Sequence, residues 1–359
     1  MVNLYLISGA GLSGLHTICI GLGLRFKEEG LKVGYIKPLG NRYYIEDGKP
    51  TDEDAAFMRQ TLQLRESLED ICPVVITPQL VHDTLVDKAK SQGLMDHIIS
   101  AYRRVSEGKD VVIIQGAYTW TQGFFLGLSA RQIASALGAS VVLVERFDDI
   151  YLADNIVAVH EVFGDELIGI IFNMVPQNRE TFIQDILAPR LESEGLRVLG
   201  NVPRDHMLAT INVGELARLL NGKVLTGQEN LDSLVEDIVV GAMSQEHALS
   251  IFRKRRNIAV VTGGDRGDIQ LAAMEAKAKC LILTGNLYPS GMILGRAEEL
   301  GIPVILVGTD TFTTAERAEL IVRSARTHEA SKLVRLRELV DSCIDLKRID
   351  ELTGLKPPQ

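Results

Sequence analysis

Apolar residues along the chain gather into short unbroken runs, separated by longer stretches in which they recur every three or four positions. The runs at 2–7, 32–36, 110–114, 140–144, 167–172 and 198–203 read as strands, and the β-branched run at 110–114 suits a strand buried on both faces. Between them the spacing predicts a helix opening at Thr17. Further helices are expected at 52–64, where Phe57, Met58 and Leu62 form a stripe, and along a mostly helical 80–107. Others are expected at 130–137, 150–163 and 180–194. Strands alternating with helices predict a parallel sheet with helices on both faces. Ligands of such sheets lie at the carboxyl ends of strands. The turn after Ile7, Lys37, the pair Gln115-Gly116 and Asn173 all fall there.

The pattern then restarts. Helices are expected at 213–220 and 231–240, strands at 258–261, 280–283 and 303–307, and helices at 269–278 and 291–300. The turn at 308–314 opens a last helix, with Thr313 or Thr314 as its cap. The basic run at 253–256 reads as a solvated loop before a strand. From His328 onward the chain is charged and helical, then fades into a Pro-Pro end. This gives a division at 1–210, 211–330 and a tail at 331–359, the second part being a smaller α/β domain.

Composition narrows the function classes. The 359 residues are 46% hydrophobic and 24% charged, ordinary for a globular protein of two or three domains. A net charge of −9 argues against nucleic-acid partners, which call for a basic face. No apolar run reaches the ~20 residues of a membrane span, and the N-terminal run lacks the basic segment of a signal peptide. Cys19, Cys72, Cys280 and Cys343 show no paired spacing and read as reduced thiols, so the expected location is the cytoplasm.

The chemistry is concentrated after the first strand. Ser8-Gly9-Ala10-Gly11-Leu12-Ser13-Gly14 is a turn that favours small residues, between a strand and a helix. In that frame backbone N–H groups and a helix N-terminus converge on an anion. Gly9 to Gly14 fits G-x-x-x-x-G, but Leu15 and His16 stand where a phosphate-binding loop has Lys and Ser/Thr.

On residues 8–22, 34–40, 52–58, 108–116 and 169–173 the first part resembles the dethiobiotin synthetase-like, P-loop-type domain at the N-terminus of long phosphate acetyltransferases. On Gly264-Asp265-Arg266, Leu283-Thr284-Gly285 and Asp310-Thr311-Phe312-Thr313-Thr314 the second resembles the DRTGG domain that follows it in those enzymes. The resemblance implies a P-loop-NTPase-like parallel sheet plus a smaller α/β DRTGG domain, and a stand-alone protein without the acetyltransferase domain.

It also implies roles. Gly9, Gly11, Ser13, Gly14, His16 and Thr17 form a degenerate phosphate or nucleotide loop, joined by Lys37, Gln115, Gly116 and Asn173. Lys37 either reaches the phosphates or is a solvent-exposed strand-end lysine. Asp52 and Asp54 are metal-ligand candidates, or acids complementing a helix N-terminus. Gln115 stands where relatives often carry a Mg²⁺-binding glutamate. Asp265, Arg266, Thr284, Gly285 and Asn286 form either a ligand site or an interface, and Arg266 either binds an anion or braces a buried Asp265. No catalytic residue is expected. Loss of Lys, Ser/Thr and Glu together predicts a non-catalytic regulatory or ligand-sensing protein, with at most a weakly bound nucleotide and Mg²⁺. The rival readings are an ATP-dependent ligase and a regulatory subunit of a separately encoded acetyltransferase. A small anionic ligand and a homodimer are the expected partners.

Overall fold

The computed structural model describes residues 1–147, 152–323 and 330–356. Ile150, expected to open a helix, His328 and residues 357–359 lie outside the described residues. Contacts divide the chain into two units, 1–204 with 328–359, and 205–327.

The first unit is built on six parallel strands: β1 (Val2–Ser8), β2 (Val33–Ile36), β3 (Val111–Gln115), β4 (Ser140–Arg146), β5 (Leu167–Val175) and β6 (Val198–Pro203). Their order is β6-β5-β4-β1-β3-β2. β1 sits between β3 and β4, with Leu4 opposite Ile113 and Leu6 opposite Val142. Its residues from Leu4 to Ser8 are all buried, as the unbroken apolar run requires of a central parallel strand.

The helices used below are α1 (Leu15–Glu28), α2 (Glu53–Thr61), α3 (Leu94–Ser106), α4 (Ala130–Leu137) and α5 (Leu152–Phe163). Tyr5, Ile7, Ile114 and Leu143 share one core with Ile98 of α3, Ile133 of α4 and Val159 of α5. α1 lies close to its neighbours at two glycines. A Cβ on Gly23 would stand 2.9 Å from Leu62, and one on Gly21 only 2.4 Å from Val340.

The second unit has its own sheet: β7 (Lys223–Thr226), β8 (Asp237–Val240), β9 (Ile258–Gly263), β10 (Cys280–Thr284) and β11 (Val304–Leu306), in the order β7-β11-β10-β9-β8. All pairs are parallel except β7 with β11. Its helices include α6 (Gly267–Glu275) and α7 (Thr311–Arg323).

Several expected elements differ. The helix expected at 231–240 is two strands, Leu234–Val235 and β8; Ile238-Val239-Val240 is β-branched and pairs along β9. The stretch 80–107 breaks into Pro78–Val86, a 3₁₀ turn and α3, with Gly93 left-handed at φ 80°. A hairpin of Tyr43–Glu46 and Lys49–Asp52 was not anticipated, although Asp47-Gly48, both at positive φ, supplies the expected turn pair. Within 180–194 the helix widens to a π turn at Ile183–Leu187, just before Pro189, whose missing N–H cannot continue the ladder. α7 starts two to three residues before the expected cap: Asp310 Oδ1 accepts from Thr313 N, so Asp310 fills that role.

The segment read as a tail contains α8 (Ala330–Cys343) and α9 (Leu346–Thr353), which count with the first unit. Leu336, Leu339 and Val340 are buried, and Ile344 bridges Gly200 beside β6. Arg337 pairs with Glu28 at 2.6 Å and Asp341 with Arg25 at 2.9 Å, along α1.

Candidate functional site

β1 ends at Ser8, and the loop 9–14 leads directly into α1. The loop doubles back through two left-handed residues, Leu12 (φ 62°) and Gly14 (φ 75°). A leucine there costs on the order of 1–2 kcal/mol, and the loop is held by its surroundings. The Asn173 amide at the end of β5 donates to Ser13 O at 2.8 Å. The Arg146 guanidinium at the end of β4 donates to Leu12 O at 3.4 Å. Ser8 Oγ and Ser13 Oγ stand 2.6 Å apart across the base of the loop. Gly116 N donates to Leu6 O at 2.8 Å, pinning the β3 end against β1. Among the described residues, no protein acceptor takes the backbone N–H groups from Ala10 to Leu15. Leu15 itself turns into the core at 6% exposed, and Thr17 is half-buried in the first turn of α1.

Beside the loop lies a buried charged network. Lys37 follows β2 and is 1% exposed, so its reading as a solvent-exposed lysine does not hold. Its Nζ donates to both Asp52 oxygens at 2.8 and 2.9 Å and to Asp54 Oδ2 at 2.7 Å. Burial alone would pull the Lys37 ammonium down; Asp54 and Asp52 more than reverse this, leaving its pKa above the ordinary lysine value. Asp52 is also the cap of α2, accepting from Asp54 N and Ala55 N, and it takes Asn41 N and Arg42 N as well. Its four backbone donors and the ammonium fill its lone pairs. The helix-terminus reading of Asp52 is therefore what the geometry contains.

Gln115 closes the network. Its Oε1 accepts from the Tyr35 hydroxyl at 2.8 Å and lies 3.1 Å from His16 Nδ1; its Nε2 faces Asp54 Oδ2 at 3.4 Å. His16 Nδ1 is also 3.8 Å from Asp54 Oδ1, and its ring tilts against Phe57 with centroids 5.9 Å apart. Both oxygens facing Nδ1 are acceptors, so Nδ1 is the nitrogen bearing hydrogen. Burial, with Cys19 and the Asp54 carboxylate nearby, holds the Tyr35 phenol well above its usual range, so it stays a donor.

The structure thus brings Gly9, Gly11, Ser13, Gly14, His16, Lys37, Asp52, Asp54, Gln115, Gly116 and Asn173 to the carboxyl ends of β1, β2, β3 and β5. Sequence reasoning missed Tyr35, Arg146, Glu145 and Tyr118. Glu145 is 3% exposed, bonded to Asn155 at 2.7 Å, and Asn155 takes the Trp120 indole N–H at 3.1 Å. A Cβ on Gly9 would fall 1.7 Å from Glu145 Oε2, and one on Gly11 2.3 Å from the Tyr118 ring, so both side chains lie directly against the loop. The available signal for Glu145 was a charge ending a run of buried apolar residues.

In the second unit the named residues gather at the ends of β9 and β10, where Gly263 pairs with Thr284. Arg266 bonds Asp268 through Nε at 3.0 Å and a terminal nitrogen at 2.9 Å, and also donates to Met243 O. Asp265 is exposed, so a buried Asp265–Arg266 brace is absent and the observed pair is a surface one. Thr284 is buried, with its hydroxyl 2.7 Å from that of Thr311. Gly285 and Asn286 are both left-handed, at φ 72° and 55°, a conformation asparagine tolerates in place of glycine.

Comparison with known proteins adds the following. The family described as an AAA domain matches residues 3–212, and that described as a DRTGG domain matches residues 215–321. A phosphate acetyltransferase of Synechocystis sp. is 26% identical over 340 residues, covering 89% of this chain and 47% of that protein. Another, of Pseudomonas aeruginosa, is 26% identical over 376 residues, covering 96% and 52%. The chain spans about half the length of these relatives. Among solved structures, the CBS and DRTGG domains of the regulatory region of Clostridium perfringens pyrophosphatase, with its activator diadenosine tetraphosphate, are 27% identical over 34% of this chain and 52% of that one. The TM-score is 0.28, too low to equate the two folds.

Proposed function

From a chain that belongs to the AAA domain family over more than half its length, with a DRTGG domain after it, we propose a non-catalytic ligand-sensing protein. Its first unit holds the phosphate end of a small anionic ligand, a nucleotide being the leading class, on the N–H groups of residues 10–15. One observation supports this above the others: no lysine is delivered to the phosphate position of the loop. Leu15 is buried in the core, and Lys37 is held by Asp52 and Asp54. Phosphoryl transfer depends on positioned cations and metal; anion binding needs only the N–H groups and the helix end.

Purified protein with Mg²⁺-ATP is expected to release no phosphate above background, while a nucleotide panel raises the melting midpoint. Steady turnover that Gly14→Trp abolishes would overturn the non-catalytic reading.

A second reading has one observation in its favour: similarity to phosphate acetyltransferases runs through both units. On this reading the two units regulate acetyltransferase activity. Ligand-dependent change in the rate of an acetyltransferase mixed with this protein separates it from sensing for another target.

A further inference from the structure

The fold family implies a divalent cation beside the loop, and the donor set can be tested for it. Mg²⁺ calls for about six oxygen ligands near 2.0–2.1 Å in octahedral array. Waters and phosphate oxygens supply most of these and the protein one or two carboxylates; of the three side chains beside the loop, His16, Asp54 and Gln115, only Asp54 is a carboxylate. Gln115 Oε1 takes the Tyr35 hydroxyl and the His16 ring. Asp54 Oδ2 takes the Lys37 ammonium and the Gln115 amide, and Asp54 Oδ1 faces the imidazole at 3.8 Å. Asp52, the remaining carboxylate, is filled by four backbone N–H groups and Lys37. An imidazole in place of a hydroxyl, and a neutral amide in place of a carboxylate, lower both the oxygen count and the negative charge. Among the described residues no group of three or more His, Cys, Asp or Glu could hold a metal ion. The residues present do not fit the cation.

The geometry points to a site that has replaced its divalent cation with side chains of the chain itself. The Lys37 ammonium takes one oxygen of Asp54 and the His16 imidazole stands where a hydroxyl ligand would, so a phosphate group is taken without metal. The two carboxylates of Asp52 and Asp54 outweigh the single charge of Lys37, and buried Glu145 stands beside Gly9. Such a loop favours a phosphate of low charge over a metal-free triphosphate. This rests on the phosphate-holding reading above, and the experiment separates the two.

Mn²⁺ serves as a paramagnetic probe for the cation, and ADP and ATP as probes for the phosphate. The wild type is expected to leave the Mn²⁺ spectrum that of the free ion, and to bind ADP within about twofold equally in EDTA and in Mg²⁺. The double variant His16→Thr with Gln115→Glu, its fold checked by circular dichroism, is expected to bind Mn²⁺ and to make ADP affinity metal-dependent. Mn²⁺ bound by the wild type and lost in Asp54→Asn overturns the inference, as does a folded double variant that gains no Mn²⁺. Absence of any nucleotide binding, with or without metal, sinks the phosphate-holding reading instead, and the Mn²⁺ results still decide the exclusion of metal.

Discussion

Lys37 shows what a single side chain does when it is enclosed with two acids. Replacing it by Met leaves Asp52 and Asp54 buried without their counter-charge, and an uncompensated pair of that kind costs about 3–5 kcal/mol. Urea unfolding of Lys37→Met is expected to show a loss of that size; a change below about 1 kcal/mol would mean the acids are solvated instead. The pH dependence has a definite sign. The folded-state pKa of Lys37 is raised, so its contribution is complete below the ordinary lysine value of about 10.4 and is lost as pH rises through the higher folded value. Melting midpoints of wild type and variant should therefore differ at neutral pH and converge in strong alkali. The motif made Lys37, Asp52 and Asp54 recognisable as a group, because each follows or caps an element end. Their mutual bonding was not legible, since residues 15 and 17 positions apart along the chain meet only once β2 and α2 are placed. Tyr35 was hidden for a related reason: it sits inside an apolar run, where a polar tip gives no periodic signal.

At the scale of elements, the alternation of apolar runs identified the central strands because each is buried on both faces. It failed at β8, where a short amphipathic stretch satisfies helix and strand spacing alike and only the β9 partner decides. The contact of α1 with α8 offers a test of packing. Alanine in mid-helix would gain up to about 1 kcal/mol over glycine, whereas overpacking costs about 1–3 kcal/mol. At Gly21 a Cβ would be 2.4 Å from a Val340 methyl, well inside contact distance, so the second effect wins. Gly21→Val is expected to lower the urea midpoint and speed amide exchange along 332–343. Unchanged exchange there would mean α8 does not depend on α1.

For the whole molecule, the first unit is discontinuous in sequence: 1–204 is completed by 328–359. Residues 205–327 expressed alone should unfold in a single cooperative transition. The fragment 1–204 should be less stable than the full chain's first unit and regain stability when a 328–356 peptide is added. A fully stable 1–204, indifferent to the peptide, would contradict this. Discontinuity also sets an order of events during synthesis. The first sheet and helices α1 to α5 leave the ribosome first, yet α8 and α9 arrive only after another 123 residues, on the order of ten seconds later at typical elongation rates. In that interval the inserted unit can complete its own sheet, while the face of α1 around Gly21 stays open. The nascent chain therefore completes its middle unit before α8 and α9 can close its first, and the exposed helix face is where a chaperone waiting at the exit tunnel would find a hold.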